Sequence, residues 1–128
     1  MFTISKDFAF SASHQLSGLP EDHQCARLHG HNYVVRVELT GPEVDRVGFV
    51  LDYGEFAPIK DLIDTHLDHR HLNDVLGFNP TAENMARWLV GRVRAWVEVP
   101  EGVSVSVSVS ETPKTWATFA EQLEGSAS

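Results

Sequence analysis

Cys25, His29 and His31 stand in the stretch Cys25-Ala26-Arg27-Leu28-His29-Gly30-His31, a lone thiol four residues ahead of two histidines spaced i, i+2. The run that follows, Asn32-Tyr33-Val34-Val35-Arg36-Val37, reads as extended. Strand side chains alternate, so both imidazoles project from one face. A catalytic zinc site uses three nitrogens, and the third must then come from an adjoining strand. Gly30 leaves room for a ligand or a second backbone to come close. Alone, His-x-His is also an ordinary solvated surface pair, so its company decides.

The chain has seven histidines in two groups: His14, His23, His29 and His31, then His66, His69 and His71. His14 follows the first strand. If the first two strands pair as a hairpin around the 17–28 loop, the end of one lies beside the start of the other, with His14 next to His29 and His31. Three neutral imidazoles with an open fourth position describe a catalytic zinc site rather than a closed, cysteine-rich one. Cys25 is the only cysteine. An isolated cysteine is ordinarily an inert packing residue. In a polar loop beside Arg27 and close to a metal, however, it is expected to ionise readily and serve as a base.

The second group lies in Leu67-Asp68-His69-Arg70-His71-Leu72-Asn73. An Asp beside a His can fix the imidazole tautomer and stabilise its protonated form if the fold points both inward, although charged pairs at helix ends are also routine on surfaces. Glu111 ends the last regular alternation; by itself it reads as a solvated charge at a strand end.

The elements that must position these groups follow from periodicity. Phe2, Ile4, Phe8 and Phe10 share one parity, so residues 2–13 read as a half-buried strand, with Lys6 marking a bulge or an edge. Ser17–Gln24 is a loop. Tyr33, Val35, Val37 and Leu39 give a strand over residues 31–40, and Phe49–Asp52 a short extended piece. From about residue 55 the period becomes helical, with Phe56, Ile59, Leu62, Ile63 and Leu67 on one stripe. Asn79-Pro80 reads as an N-cap and first helical position. A second stripe follows, of Met85, Trp88, Leu89, Val93 and Trp96, its tryptophans taken as core. Val103–Ser110 alternates valine with serine as a strand does. Thr115–Glu121 is the last strand, and the tail from Gly125 is expected to be disordered. The order is β-β-α-α-β-β: an α+β fold with two helices on one face of a four-stranded antiparallel sheet.

At 128 residues, 42% hydrophobic and 22% charged, the chain has ordinary globular composition, and one domain over 1–128 is expected, with its core at about 2–121. A net charge of −8 disfavours nucleic acid and anionic membranes as partners. No apolar run long enough to span a bilayer is present, nor a basic-then-apolar leader, so a cytoplasmic location is expected.

Cys25-x-x-x-His29-Gly30-His31-Asn32-Tyr33, preceded by Phe10-Ser11-Ala12-Ser13-His14 and followed by Leu67-Asp68-His69 and Ser110-Glu111-Thr112, resembles the 6-pyruvoyl-tetrahydropterin synthase / 6-carboxy-tetrahydropterin synthase family over residues 2–120. The resemblance implies the tunnelling fold, with the element order read above, and a homohexamer built as a dimer of trimers with active sites at subunit interfaces. It implies one zinc ion on His14, His29 and His31, Cys25 as general base, Asp68 and His69 as its relay, and Glu111 as the anchor of a pterin. Leu72-Asn73, the stretch Asn79-Pro80-Thr81-Ala82-Glu83-Asn84 and Glu111-Thr112-Pro113 look more like the bacterial 6-carboxy-tetrahydropterin synthases. These are lyases that convert 7,8-dihydroneopterin triphosphate to 6-carboxytetrahydropterin, acetaldehyde and triphosphate in 7-deazaguanine (queuosine) synthesis. The triphosphate calls for local positive charge, for which Arg27, Arg70 and Lys114 are the candidates. Two readings stand beside this one: a 6-pyruvoyl-tetrahydropterin synthase, and a non-catalytic pterin- or metal-binding module.

Overall fold

Alternation along the first two strands sets the sheet. In the computed structural model, which describes residues 1–122, β1 (Phe2–His14) and β2 (His29–Gly41) pair antiparallel in unbroken register from Phe2 opposite Gly41 to His14 opposite His29. The even residues Phe8, Phe10, Ala12 and His14 and the odd residues Tyr33, Val35, Val37 and Leu39 are buried on the same face. A one-residue slip would turn all of them outward, so burial fixes the register. Lys6 makes no bulge; it pairs with Val37, and its ammonium lies 5.8 Å from the Phe8 ring centre.

Strand β3 (Arg70–His71) lies parallel to β1 at Ala12 and Ser13, and β4 (Ser104–Thr112) adds to β2 and β5 (Thr115–Ala120) to β4, both antiparallel. The sheet therefore has five strands in the order β3-β1-β2-β4-β5, not four. The extra one is two residues long, too short to leave a periodic trace. The valines of β4 face the core; on the other face Ser108 is also buried, bonded to Thr118 at 2.6 Å.

The helical layer covers the buried face. The helix α1 (Ala57–Leu62) runs on into a π-helical turn at Ile63–Leu67, and the expected stripe of Phe56, Ile59, Leu62, Ile63 and Leu67 is buried throughout. After a four-residue helix α2 (Leu72–Val75) comes α3 (Ala82–Trp96), which buries Met85, Ala86, Leu89, Val90 and Val93. Its N-cap is Thr81, whose hydroxyl accepts from the Asn84 N–H at 3.1 Å, rather than Asn79. Trp88 packs only partly against the core, beside Phe78. Trp96 is 46% exposed with Arg92 over its ring, which corrects its assignment to the core. Residues 49–52 form bends and not a strand, while Val50 is buried and Leu51 packs partly against the core. The tail from Gly125 lies outside the described residues. No helix among the described residues is long and apolar enough to cross a membrane.

Glu121 pins the end of β5 to α3. Its carboxylate accepts from Arg94 Nε at 2.9 and 3.0 Å and from the Val105 N–H at 2.9 Å, and the Arg94 hydrogen bond above all holds its pKa below the ordinary carboxylate value. A depressed folded-state pKa contributes stability above the unfolded value and loses it as pH falls through the folded one. Glu121→Gln is expected to lower stability in urea by about 1 kcal/mol at neutral pH, after allowance for solvent screening, and the difference should shrink as pH falls below the ordinary carboxylate range.

Candidate metal centre and its surroundings

The β1–β2 register sets His14 and His29 opposite each other as a cross-strand pair, with His31 opposite Ala12 two residues along on the same face. Their rings sit 4.5 to 4.9 Å apart at 71° to 89° to one another, and the ligating nitrogens all lie within 4.8 Å. Tetrahedral zinc with three imidazole ligands places its nitrogens about 3.3 Å apart, so the cluster needs only small adjustments.

The hydrogen bonds around the rings fix their tautomers. His14 Nδ1 lies 2.9 Å from the Pro80 carbonyl and 3.1 Å from the Tyr33 hydroxyl, and His29 Nδ1 lies 2.6 Å from the Arg27 carbonyl. Carbonyls only accept, so both Nδ1 atoms carry the hydrogen and both Nε2 atoms present bare lone pairs. Those two Nε2 atoms face each other at 2.9 Å. Two lone pairs at that distance repel unless a cation lies between or beside them. The third imidazole agrees: His31 Nε2 is buried with no hydrogen-bond partner, and the Glu111 carboxylate at 3.6 Å is too far to be one. Desolvation holds the pKa values of His14 and His31 below the ordinary imidazole value, against the opposing pull of Glu111. Neutral imidazole is the form that binds a metal. The donor set, the tautomers and the orphaned nitrogen all fit a divalent ion.

Around this cluster the other sequence-predicted residues fall into separate groups. Glu111 joins it through His31 and lines a cleft of about 160 Å³ with Ala82, Val109 and Trp116. Asp68 and His69 pair with each other at 3.0 Å on the outer side of β1. The π-helical turn sets them there, closing with the Asp68 N–H on the Ile63 carbonyl at 2.8 Å. The Ser11 N–H then donates to Asp68 at 3.0 Å and the His69 N–H to the Ser11 carbonyl at 2.6 Å. These bonds hold His69 at φ +58°, a left-handed conformation that a non-glycine residue adopts at a cost. The Ser11 hydrogen bond, foremost, keeps the Asp68 pKa below the ordinary range, so the carboxylate stays charged beside the imidazole. His69 and His31 line one open cleft of about 490 Å³, together with Ser13, Gly30 and His71.

Cys25 lies half-buried in a 3-10 turn (Gln24–Ala26), its N–H bonded to His23 Nδ1 at 3.0 Å and its carbonyl to the Leu16 N–H at 3.0 Å. Among the described residues no hydrogen bond or ion pair joins it to Asp68 or His69. Arg27, Arg70 and Lys114 are exposed at three different places. Sequence reasoning missed the residues that act through main chain or second contacts: Tyr33, Pro80 and Ser11. Only Tyr33 left a signal, as a large polar aromatic at a position of core parity.

A family model described as 6-pyruvoyl tetrahydropterin synthase matches residues 3–122. A Bacillus subtilis protein named 6-carboxy-5,6,7,8-tetrahydropterin synthase is 32% identical over 92% of this chain and 84% of its own. A Synechocystis protein of the same name is 36% identical over 73% and 75%. The solved structure of Caenorhabditis elegans 6-pyruvoyl tetrahydropterin synthase superposes with a TM-score of 0.80 at 29% identity, covering 94% of this chain and 96% of that one.

Replacing His31 with Ala is expected to strip the divalent ion from the purified protein, read by elemental analysis, with the far-UV circular dichroism unchanged. Tyr33→Phe removes one partner of the His14 Nδ1–H, and metal affinity in a competition titration should fall by up to about ten-fold.

Proposed function

The chain belongs to the 6-pyruvoyl tetrahydropterin synthase family, and we propose that it is a zinc-dependent 6-carboxy-5,6,7,8-tetrahydropterin synthase. It takes 7,8-dihydroneopterin triphosphate and water to 6-carboxytetrahydropterin, acetaldehyde and triphosphate, in the cytoplasm and on the route to 7-deazaguanines such as queuosine. Relatives that carry this name over most of their length support the reaction. The observation that carries the zinc dependence is the pair of bare Nε2 atoms facing at 2.9 Å beside the orphaned His31 Nε2.

His14, His29 and His31 would hold the ion, which would supply a Lewis acid for the hydroxyls of the substrate side chain. Cys25, as thiolate, takes the proton from the adjoining carbon. His69, held at 3.0 Å by the charged Asp68, exchanges protons with the substrate as triphosphate departs and the side chain is cleaved. Glu111 accepts from the amino-pyrimidine edge of the pterin with its two oxygens, as a carboxylate does from a guanidinium. Arg27, Arg70 and Lys114 supply positive charge for the triphosphate on a chain of net charge −8.

This reading includes assembly into a dimer of trimers. The sheet supports it: among the described residues β5 has no partner on its outer edge, and β1 is paired on its outer side only at Ala12 and Ser13. Exposed edges invite pairing with another copy. In such a ring the Asp68–His69 pair of one copy serves Cys25 of the next, which fits their lack of contact within one chain.

The test is incubation with 7,8-dihydroneopterin triphosphate and analysis of products by mass. Release of acetaldehyde with 6-carboxytetrahydropterin is the expected result. Triphosphate without acetaldehyde would mark a 6-pyruvoyl-type enzyme instead, and binding without consumption a pterin-binding module. Cys25→Ala should abolish turnover while about one ion per chain remains, as the three-histidine donor set requires; loss of the ion in that variant would make Cys25 a ligand.

A further inference from the structure

Two asparagines that have no part in the site described above make the same unusual contact. Asn73 Oδ1 accepts from the Gln15 N–H at 2.9 Å and its Nδ2 donates to the Gln15 carbonyl at 2.7 Å. Asn79 does the same to Ser17, accepting at 3.0 Å and donating at 3.1 Å. Each side-chain amide copies the donor–acceptor pair that a neighbouring strand would offer. Strand β3 stops at His71, opposite Ser13. Where the backbone ladder ends, two side chains carry it on to alternate residues of the segment that leaves β1.

The intervening residue bonds on the other side. The Leu16 N–H donates to the Cys25 carbonyl at 3.0 Å. Residues 15–17 are thus a short extended spacer, clamped along one edge by Asn73 and Asn79 and carrying the Cys25 turn on the other. Asn79 is itself fixed, because its carbonyl accepts from Asn84 Nδ2 at 3.0 Å and from the Thr81 N–H at 2.9 Å, at the start of α3. The contacts run from the helical layer to the thiol-bearing turn without a break.

We propose that Asn73 and Asn79 are positioning residues for Cys25, holding its turn through the main chain of Gln15–Ser17. The assignment rests on the role proposed above for Cys25. The bonds lie at the surface and add little to global stability, since water can replace each of them. Their consequence is geometric: a base misplaced by an ångström costs far more in rate than such a bond costs in folding.

Cys25 is the only cysteine, so alkylation of the whole protein by iodoacetamide reads this one thiol. In Asn73→Ala, Asn79→Ala and the double variant the turn is expected to loosen, and alkylation at fixed pH to speed up by about three-fold or more. With 7,8-dihydroneopterin triphosphate as substrate, kcat should fall by about ten- to a hundred-fold while KM and bound metal stay unchanged. Asn73→Asp keeps the acceptor for the Gln15 N–H and loses the donor, so its alkylation rate should fall between wild type and Asn73→Ala. Unchanged alkylation in the double variant overturns the proposal. Loss of metal in step with kcat overturns it too, because the asparagines would then serve His14. A wild-type protein that consumes no substrate defeats the reading of function instead, and the alkylation comparison still decides the positioning role.

Discussion

Two imidazole lone pairs held 2.9 Å apart are the constraint on which the rest of the structure depends. The arrangement costs energy in the bare protein and is maintained by groups that cannot yield: the Pro80 carbonyl at the threshold of α3, and the Arg27 carbonyl, two residues from the ring it orients. Burial adds to the cost by removing water that could have bridged them; His14 is fully buried and His31 Nε2 has no partner. Local strain of this kind persists only where the surroundings over-determine it. Here the long β1–β2 ladder and the helical layer above it do so, and the three histidines could hold a divalent ion where the bare nitrogens converge.

The fold was readable wherever burial imposes a period. Val35, Val37 and Leu39 against Phe8 and Phe10, the Phe56 to Leu67 stripe and the valines of β4 all mark faces that must leave water. The exceptions have local causes. Strand β3 is two residues long and rests on two main-chain pairings, so no side-chain pattern announces it. Trp96 has helical spacing, yet it is the last residue of α3, where Arg92 lies over its ring in place of core. Asn79 has the composition of an N-cap but spends its side chain on Ser17, leaving the cap to Thr81.

The three-histidine cluster of the candidate site was legible for the same reason. His14, His29 and His31 meet because a hairpin register carries them together, and register follows from the hydrophobic pattern. The Asp68–His69 pair was visible in sequence as neighbours, but its setting was not. A π-helical turn is an i to i−5 closure with no residue signature of its own, and it is this turn that sends Asp68 to the Ser11 N–H. Tyr33, Pro80 and Ser11 act through a hydroxyl and main-chain atoms, and main-chain roles leave no mark on residue type.

A single strand end organises these separate groups. Ser11 holds the Asp68–His69 pair, His14 enters the three-histidine cluster, and Gln15 to Ser17 carry the turn with Cys25. Successive residues of an extended chain point to opposite faces, so one short run can address the sheet edge, the helical side and the loop in turn. The same economy makes the run unforgiving. A slip of one residue at Ser11 would move the acid–imidazole pair, turn His14 away from its partners and displace the thiol all at once. That is why the unbroken register of Phe2–His14 against His29–Gly41, and the side-chain ladder that continues past its end, matter more to the chemistry than any single contact within it.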